Sequence, residues 1–362
     1  MRTRCNSSGQ VLIDIIFWMK KTDFKILVVG AGAVGGITAA LLKKNGLDVQ
    51  IVCKYDDYAS LISDSGIEVS GVHGRFSIRM DAFANISQVK EKKDIILLAT
   101  KATDMMGIAE ELKSVLKMDG FLISLQNGIC EDDLASVFGK EKIIGCVTGW
   151  GATMESMGKL VMTSKGDFIL GYPDRKPDDI LLNIAEMMSF VAPVRTTDNI
   201  IGHLYSKLII NSCITSLGAI CGLYLGKMLM IRKIRRIFIE IIREAVMVAD
   251  KMKINIEVFG NRLDFKKFIQ GNNMFSDFRR HLLLMVIGYK YRRLKSSTLQ
   301  SLERGKPTEI DFLNGYIVRN AAELGVRVPV NDAIVNMIHQ IENKKREISL
   351  TNFNDTFFDS FN

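Results

Sequence analysis

The chain has 362 residues, of which 48% are hydrophobic and 24% are charged, and its formal net charge is +8. This composition excludes an intrinsically disordered protein, because such chains carry too few apolar residues to build a core. The length predicts a globular protein of two domains. We expect no membrane segment, because no uncharged apolar stretch reaches the roughly 20 residues that a spanning helix needs.

Residues 1–23 are predicted to form an N-terminal extension ahead of the first domain. They combine a basic start with a short apolar run, as a weak signal peptide does. Asp14 interrupts that run, and no small-residue cleavage site follows it. Met19 begins a plausible start of its own, MKKTDFKILVVG, so an upstream extension from a misplaced start is the preferred interpretation.

The cysteines and histidines do not predict a metal site. The six cysteines are scattered without a CxxC pair, and the four histidines lack ligand spacing such as HExxH. Cys53, Cys146 and Cys213 lie in apolar runs and are interpreted as core thiols. Unpaired core thiols are typical of a reducing compartment, so we expect a cytoplasmic protein.

Residues 24–195 predict an α/β domain with a Rossmann-type parallel sheet. Short apolar strands alternate with helices, which is typical of a parallel sheet covered on both faces. Residues 66–80 predict a hairpin, and residues 158–172 predict a second antiparallel hairpin added at the sheet edge. The predicted parallel strands are FKILVVG, LDVQIVC, DIILLAT, FLISLQ and KIIGCV, and the helices are VGGITAALLKKNG, Thr103 to Leu116, and one that begins at Glu131.

Residues 196–347 predict an all-α domain, and residues 348–362 a tail. Three of the five prolines lie between Gly171 and Asn199, and long helical periodicities follow Asn199. These changes place the boundary near residue 195. We expect the tail to be poorly ordered, with the alternative that its phenylalanines dock on the domain.

A glycine-rich turn follows the first predicted strand. Gly30, Gly32 and Gly35 fit GxGxxG between a strand and a helix. Glycines at this spacing permit a tight turn and bring the backbone close to a pyrophosphate at the helix N-terminus. We therefore predict that a dinucleotide binds the segment formed by Gly30, Ala31, Gly32, Ala33, Val34 and Gly35.

The end of the second strand favours NADPH as the cofactor. Proteins that bind NAD usually place an acid there, which holds the ribose hydroxyls. This chain has Cys53 and Lys54 instead, and a cation suits a 2′-phosphate. The alternative is that Lys54 is an ordinary solvated residue, since Asp56 and Asp57 follow closely.

Two further strands end in polar residues that we expect near a ligand. DIILLAT is followed by Lys101, and FLISLQ by Asn127 and Gly128. Ligands of open α/β sheets bind beyond the carboxyl ends of the strands, so Lys101 and Asn127 are predicted to face the cofactor crevice. Each residue alone also fits a cap or a turn.

The helical domain carries a lysine inside an apolar run. On a helix through SKLIINSC, Lys207, Asn211 and Thr215 fall four residues apart in one polar row. A buried ammonium is costly without partners, so Lys207 either reaches solvent along its stem or belongs to a site. Glu309 follows Thr308, a predicted N-cap, and either complements the helix dipole or faces Lys207.

Basic residues cluster in two helical segments of the second domain. We interpret them as solvated helix faces, because apolar residues occupy the opposite face, and a surface for polyanions is the less favoured alternative. We therefore expect neither a nucleic acid nor a membrane as partner. The clustered residues are Lys227, Arg232, Lys233, Arg235 and Arg236, and then Arg279, Arg280, Lys290, Arg292, Arg293 and Lys295.

Taken together, these motifs make the chain similar to the ketopantoate reductase family. The resemblance covers about residues 24–345, in the family order. SSxLQ…TEIDxxNG is the most specific of its motifs. The motifs that carry it are GxGxxG, Lys101 after its strand, QNG at 126–128, GWGAT at 149–153, KLxxN from Lys207 to Asn211, and SSxLQ…TEIDxxNG at 296–315.

The resemblance implies a Rossmann domain, a helical domain and an active site between them. The implied reaction is NADPH-dependent reduction of 2-dehydropantoate to pantoate, a step of pantothenate synthesis. Lys207 would be the general acid and Glu309 its partner in substrate binding and catalysis. Asn211 and Ser297 would hold substrate. Residues that would line the cofactor are Lys101, Asn127 and Ala152, with Asn127 near both ligands.

Two departures leave alternatives open. The family often has a second asparagine four residues after the position of Asn211, where this chain has Thr215, which can still donate a hydrogen bond to substrate. The segment between Lys253 and Lys295 is also long and basic. The alternatives are a reductase of another 2-oxo acid and a non-catalytic NADP-binding protein. A homodimer is also compatible with the sequence.

Overall fold

A computed structural model of the chain describes residues 24–260 and 262–361. The predicted extension, residues 1–23, lies outside the described residues. Two compact units are present, and each takes in several segments of the chain. Of the described residues, the first unit holds those up to Thr100, Asp104–Gln126 and Glu131–Ile200, and the second holds Lys101–Thr103, Asn127–Cys130 and those from Ile201 onward.

The first unit is built on two sheets. Among the described residues, the large sheet has eight strands in the order β12-β11-β8-β7-β6-β1-β2-β5, and the small sheet has the order β4-β3-β10-β9. The strands are β1 Lys25–Val29, β2 Asp48–Val52, β3 Ile67–Gly71, β4 Phe76–Ile78, β5 Ala82–Phe83, β6 Lys93–Leu98, β7 Leu116–Ser124, β8 Ile143–Thr148, β9 Gly151–Ser156, β10 Lys159–Ser164, β11 Phe168–Gly171 and β12 Val194–Thr196.

The centre of the large sheet is parallel and buried on both faces. β1 pairs in parallel with β2 on one side and β6 on the other. Ile26, Leu27 and Val28 are successive residues of β1 and are fully buried. Successive side chains of a strand point to opposite faces, so both faces are covered. This confirms the Rossmann-type parallel sheet predicted from the short apolar runs.

Helices cover the large sheet, and the small sheet packs on the first of them. A methyl group added at Gly36 of that helix would lie 2.4 Å from the Leu160 side chain of the small sheet. Glycine at this position therefore permits close contact. The helices of this part of the chain are α1 Ala33–Lys44, α2 Asp56–Asp64, α3 Ala102–Val115, α4 Glu131–Phe138 and α5 Asp179–Met188.

The predicted hairpin at residues 66–80 is present, but the one at 158–172 is wrong. β3 and β4 pair antiparallel. β10 instead lies between β3 and β9 in the small sheet, whereas β11 pairs with β8 in the large sheet. The chain passes between the sheets near Gly166, where an added methyl group would lie 2.2 Å from the Gly149 carbonyl oxygen.

The second unit is helical, as predicted. Its longest helix, α6, is the one helix within 24–260 and 262–361 that is long and apolar enough to cross a membrane. Because 78% of its most apolar window is buried, it is a core helix. The helices are α6 Ile200–Cys221, α7 Leu225–Met230, α8 Arg232–Lys251, α9 Phe265–Ile269, α10 Met274–Lys290, α11 Ser297–Glu303, α12 Asn314–Glu323 and α13 Pro329–Glu342.

The tail is ordered over its described residues, 348–361, so the expectation of poor order is wrong there and the docking alternative holds. It forms two 3-10 turns, Leu350–Asn354 and Thr356–Phe361. Phe353 and Phe358 are buried and meet edge to face, with ring centroids 5.6 Å apart. Burial of two aromatic rings offsets the entropy lost by ordering this short segment.

Two arginines assigned to solvated helix faces are buried instead. Arg235 donates to the carbonyl oxygens of Leu229 and Met230 at the end of α7. Arg280 is 2% exposed and donates to carbonyl oxygens of residues 269–271 and to the Asp277 carboxylate. The five donors of a guanidinium can satisfy several chain-end carbonyls at once, which explains why these cations are buried.

Candidate functional site

The glycine turn of the first unit is held by packing at two of its three glycines. Gly30 has a positive φ of 106°, and its N–H donates to the Val52 carbonyl oxygen at 2.8 Å. A methyl group at Gly30 would lie 2.7 Å from the Ala99 backbone, and one at Gly35 would lie 2.0 Å from the Gly30 oxygen. Any side chain at these two positions would distort the turn.

Gly32 differs, because protein packing does not explain it. A methyl group there would meet no described atom within 4 Å, and its φ of −70° is open to any residue. Gly32 is the N-cap of α1 and has no side chain to cap the helix. The open side of this turn therefore fits an anion at the amide-lined start of a helix, as a dinucleotide pyrophosphate requires. Ala33 and Val34 begin that helix.

A tyrosine that the sequence analysis did not single out supports the turn. The hydroxyl of Tyr58, on α2, donates to the Ala31 carbonyl oxygen at 2.9 Å, and both residues are buried. The hydrogen bond joins positions 27 apart, so no local pattern in the sequence signals it. Tyr58 thus fixes the backbone of the residue between Gly30 and Gly32.

Lys54 lies two residues beyond the end of β2 and is exposed. The end of β2 is tied to the glycine turn through the bond from Gly30 to Val52, so Lys54 lies on the segment next to that turn. Asp56 and Asp57 form the first turn of α2, where their charges favour the helix dipole. The carboxylate of Asp57 accepts a hydrogen bond from the Tyr58 N–H.

Two more features complete the candidate cofactor surface of the first unit. Ala152 is half-buried on β9 and pairs with Met162 of β10. Gln126 joins the ends of two strands, since its amide donates to the carbonyl oxygen and the hydroxyl of Thr100 at 3.1 and 3.2 Å. Gln126 belongs to the QNG motif, but the motif by itself does not indicate this role.

The second unit brings together four of the predicted polar residues. Glu309 accepts a hydrogen bond from the Ala102 N–H at 3.2 Å and another from the Asn127 side chain. The charges of Lys101 and Lys207 also act on its carboxylate. Residues far apart in sequence therefore form one cluster around Glu309.

The pKa of Glu309 is raised. Burial of the carboxyl raises the pKa and is the largest effect. Hydrogen bonds from Ala102 and Asn127 lower the pKa by a smaller amount. The positive charges of Lys101 and Lys207 also lower it. Such a carboxyl holds its proton to higher pH than an exposed glutamate. A raised pKa with specific charged partners is typical of a functional carboxyl group.

Hydrogen bonds from Lys101 and to Glu342 hold the segment that carries Glu309. Lys101 donates to the Pro307 carbonyl oxygen at 2.7 Å and to the Ser301 hydroxyl at 3.1 Å. The Thr308 N–H donates to the Glu342 carboxylate at 2.7 Å. No local pattern in the sequence signals Glu342, because it lies on α13, 34 positions away.

A histidine extends this support. His339 lies one helical turn before Glu342, and its ring nitrogens are 2.9 Å from the Glu342 carboxylate and 3.0 Å from that of Asp311. Burial lowers the pKa of His339, but the hydrogen bonds and charges of the two carboxylates outweigh it and raise the pKa. We call His339, Glu342, Asp311 and the Thr308 N–H the carboxylate clasp.

The predicted helix start at Glu309 is wrong. Glu309 precedes a 3-10 turn, Ile310–Phe312, and α12 begins only at Asn314. The Thr308 hydroxyl nevertheless accepts the Ile310 N–H at 3.3 Å, as a cap would. A methyl group at Gly128 would lie 2.5 Å from the Phe312 carbonyl oxygen, so this turn packs directly on the segment after Asn127.

Lys207, Asn211 and Thr215 all lie on α6, as predicted. Lys207 and Asn211 are partly accessible, whereas Thr215 is 8% exposed. The Thr215 hydroxyl donates to the Asn211 carbonyl oxygen one turn earlier, at 2.8 Å. The hydroxyl proton of Thr215 is therefore used in a hydrogen bond within the helix, and its oxygen can still accept a hydrogen bond. The role of Thr215 in binding a ligand stays a prediction, and in this conformation its hydroxyl would bind as an acceptor.

Ser297 is exposed on the first turn of α11, and its neighbour positions it. The buried Ser296 is the N-cap of α11 and accepts the Leu299 N–H at 3.0 Å. Its hydroxyl donates to the Thr215 carbonyl oxygen at 2.6 Å. A methyl group at Gly218 would lie 2.9 Å from Ser296, so glycine permits this approach. Ser296 thus fastens the start of α11 to α6.

Family models match both parts of the chain. The model described as ketopantoate reductase PanE/ApbA matches residues 26–175, and its C-terminal counterpart matches residues 199–342. A 2-dehydropantoate 2-reductase from Pyrococcus abyssi is 29% identical over 330 residues, which are 89% of this chain and 100% of that protein.

Solved structures share the fold along most of the chain. A PanE/ApbA family ketopantoate reductase from Ralstonia eutropha has a TM-score of 0.76 at 27% identity, covering 88% of this chain and 99% of its own. D-mandelate dehydrogenase, solved with NADH and anilino(oxo)acetate, has a TM-score of 0.75 at 22% identity, covering 88% and 98%. A dimeric ketopantoate reductase from Staphylococcus aureus has a TM-score of 0.69 at 15% identity, covering 89% and 99%.

Proposed function

The chain belongs to the ketopantoate reductase family, a family of oxidoreductases, and from this premise we propose that it reduces 2-dehydropantoate to pantoate with NADPH. Pantoate formation is a step of pantothenate synthesis. One observation carries the proposal. Lys101, Asn127 and Lys207 act on a single carboxyl group, Glu309, in the second unit.

The residue types suit reduction of a ketone. Hydride addition to the C2 carbon turns the carbonyl oxygen into an alkoxide, which must gain a proton. Lys207 carries an ammonium on a partly accessible position of α6 and would donate that proton. The bound nicotinamide supplies the hydride. Lys207 would then regain a proton from solvent.

Glu309 would position the substrate. Its carboxyl oxygens can accept a hydrogen bond from the hydroxyl group of 2-dehydropantoate. Asn211 would donate to the substrate, and Ser297 is exposed at a helix start where it can bind a carboxylate. Thr215 would accept rather than donate a hydrogen bond, since its proton goes to Asn211.

We assign the cofactor to the glycine turn. Gly32 leaves open space at the start of α1, and Ala31, Ala33, Val34, Lys101, Asn127 and Ala152 belong to the proposed surface. Lys54 would bind the 2′-phosphate of NADPH. D-mandelate dehydrogenase was solved with NADH, so the preference of this chain has to be measured with both cofactors.

A related 2-oxo acid is the second candidate substrate. Two observations favour it: the changed hydrogen-bonding role of Thr215, and the fold shared with D-mandelate dehydrogenase. We further propose that the enzyme works in the cytoplasm. We also propose that it pairs with a second copy of itself, as the Staphylococcus aureus relative is described to do.

The experiment compares Lys207→Ala with wild type on 2-dehydropantoate and a panel of other 2-oxo acids. Turnover should fall by about 10²-fold or more, the usual scale for a lost general acid, while NADPH affinity measured by fluorescence stays within about twofold. Lys227→Ala, an exposed lysine of the same unit, is the matched control. Wild-type turnover in Lys207→Ala would refute the mechanism, and a better substrate in the panel would replace 2-dehydropantoate.

A further inference from the structure

Three buried polar side chains of the second unit form a connected chain to which the proposed function gives no role. They are Glu244 on α8, Asn331 on α13 and Asn314 at the start of α12. The Glu244 carboxylate accepts a hydrogen bond from the Asn331 amide at 2.7 Å, and the Asn331 side-chain oxygen accepts one from the Asn314 amide at 2.9 Å. Apolar side chains of similar size would pack here without the cost of removing a carboxylate from water, so packing alone does not explain Glu244.

Glu244 holds the N-terminus of α13. Its two carboxylate oxygens accept the N–H groups of Val330 and Asn331, each at 2.8 Å. Val328, the N-cap residue of α13, makes no side-chain hydrogen bond to the helix. A carboxylate 86 positions away in sequence therefore does what a capping side chain normally does, and its negative charge favours the helix dipole. The position of α8 thus determines where α13 begins.

Glu244 also sets the orientation of the Asn331 side chain. A carboxylate can only accept hydrogen bonds, so the NH₂ group of the Asn331 amide must face Glu244, and the amide oxygen faces Asn314. Within residues 24–260 and 262–361, the side-chain oxygen of Asn314 accepts no hydrogen bond. In this part of the chain, the bond to Asn331 therefore orients Asn314. Loss of an acceptor at Glu244 would reach Asn314 through Asn331.

Asn314 adjoins the turn that carries Glu309. The motif TEIDxxNG, which contains Glu309, ends at Asn314 and Gly315. The Glu309 carbonyl oxygen accepts the Phe312 N–H at 3.0 Å and so begins the 3-10 turn. A methyl group at Gly315 would lie 3.2 Å from the Ile310 carbonyl oxygen, so the start of α12 packs closely on this turn. A displacement of Asn314 would therefore displace the backbone of Glu309.

We propose that Glu244 is a positioning residue for Glu309 and that it acts through Asn331 and Asn314. The inference rests on the proposed function, in which Glu309 binds the substrate. α13 then holds the segment around Glu309 at two points, the carboxylate clasp near its C-terminus and Asn331 near its N-terminus. Asn331 and Glu342 are separated by about 16 Å along the helix axis. Two separated attachments fix the orientation of a segment as well as its position, whereas the clasp alone leaves it free to rotate.

The test is a double-mutant cycle of wild type, Glu244→Gln, Glu309→Ala and the double variant. Glutamine has the shape of glutamate, but its NH₂ group would face N–H donors where an acceptor is needed. For 2-dehydropantoate, or the 2-oxo acid that wild type reduces best, we expect Glu244→Gln to raise KM about 10-fold and to change kcat less than about threefold. In the Glu309→Ala background the same substitution should change KM less than about twofold, because the group that it positions is absent.

Thermal unfolding of the same proteins separates positioning from stability. Glu244→Gln should lower Tm equally with and without Glu309, since the cap of α13 is lost in both. Glu240→Gln is the matched control, because it makes the same change one turn earlier on α8, where the carboxylate pairs with Arg243 near the surface. It should keep the wild-type KM. If Glu244→Gln fails to fold, Asn314→Ala, which leaves the cap of α13 intact, replaces it with the same expectations for KM.

The outcomes separate this inference from the role proposed for Glu309. A wild-type KM in Glu244→Gln would overturn the inference and leave the proposed function standing. So would a rise in KM by the same factor with and without Glu309, because Glu244 would then act on the fold in general. A wild-type KM in Glu309→Ala alone would overturn the substrate-binding role of Glu309, and this inference with it.

Discussion

Removal of Glu342 from the carboxylate clasp tests whether the clasp positions the segment that carries Glu309. Thr308 is 4% exposed, so its N–H cannot turn to water if the Glu342 carboxylate is removed. A hydrogen bond to a charged acceptor contributes about 1.5–3 kcal/mol. Glu342→Ala should therefore lower the free energy of unfolding by roughly 2 kcal/mol. It should also release the segment that carries Glu309.

Activity should fall further than stability explains. A misplacement of about 1 Å at a reacting group can cost on the order of 10²-fold in rate. We expect kcat/KM of Glu342→Ala to drop about 10- to 100-fold, mainly through KM, because Glu309 is proposed to position substrate. NADPH affinity should change less than about twofold, since the glycine turn belongs to the first unit.

The assay is steady-state NADPH oxidation, with thermal unfolding and cofactor fluorescence measured on the same proteins. Glu342→Gln is the conservative variant, because its amide oxygen can still accept the Thr308 N–H and should restore most activity. Glu323→Ala, an exposed glutamate at the end of α12, is the control. Wild-type kcat/KM in Glu342→Ala would refute the reasoning. So would a glutamine variant as impaired as the alanine variant.

Three further predictions follow from the same geometry. The raised pKa of His339 means that its protonated form stabilises the fold fully below the ordinary value of 6.5 and that this contribution is lost as pH rises through the raised pKa. The difference in Tm between wild type and His339→Gln should therefore shrink above that pH; an unchanged difference would contradict it. Gly35→Ala should unfold or strongly destabilise the first unit. Gly32→Ala should fold normally and weaken NADPH binding, as measured by calorimetry. Equal melting temperatures of the two variants would contradict this assignment. Lys54→Ala should lower the ratio of kcat/KM for NADPH over NADH by roughly 10- to 100-fold, the equivalent of a lost cation–phosphate contact, and equal use of both cofactors by wild type would exclude the preference.

The sequence by itself determined the features that depend on neighbours along the chain. Apolar runs such as KILVV predicted buried parallel strands, because a strand covered on both faces shows no alternation. The spacing of Gly30 and Gly35 predicted the strand-to-helix turn, because only glycine fits a positive φ and a backbone contact there. The four-residue spacing from Lys207 to Thr215 predicted a single polar row on α6, because side chains four positions apart share one helix face.

Tertiary structure decided everything that depends on which distant segments meet. β10 and β11 adjoin in sequence yet lie in different sheets, because a strand's local pattern does not specify its partner. Arg280 was expected in solvent, but it is buried, because its guanidinium donates hydrogen bonds to carbonyl oxygens of a preceding loop. The bonds from Thr308 to Glu342 and from Ser296 to Thr215 join positions 34 and 81 apart. No periodicity records such hydrogen bonds, because their geometry exists only once the helices have packed.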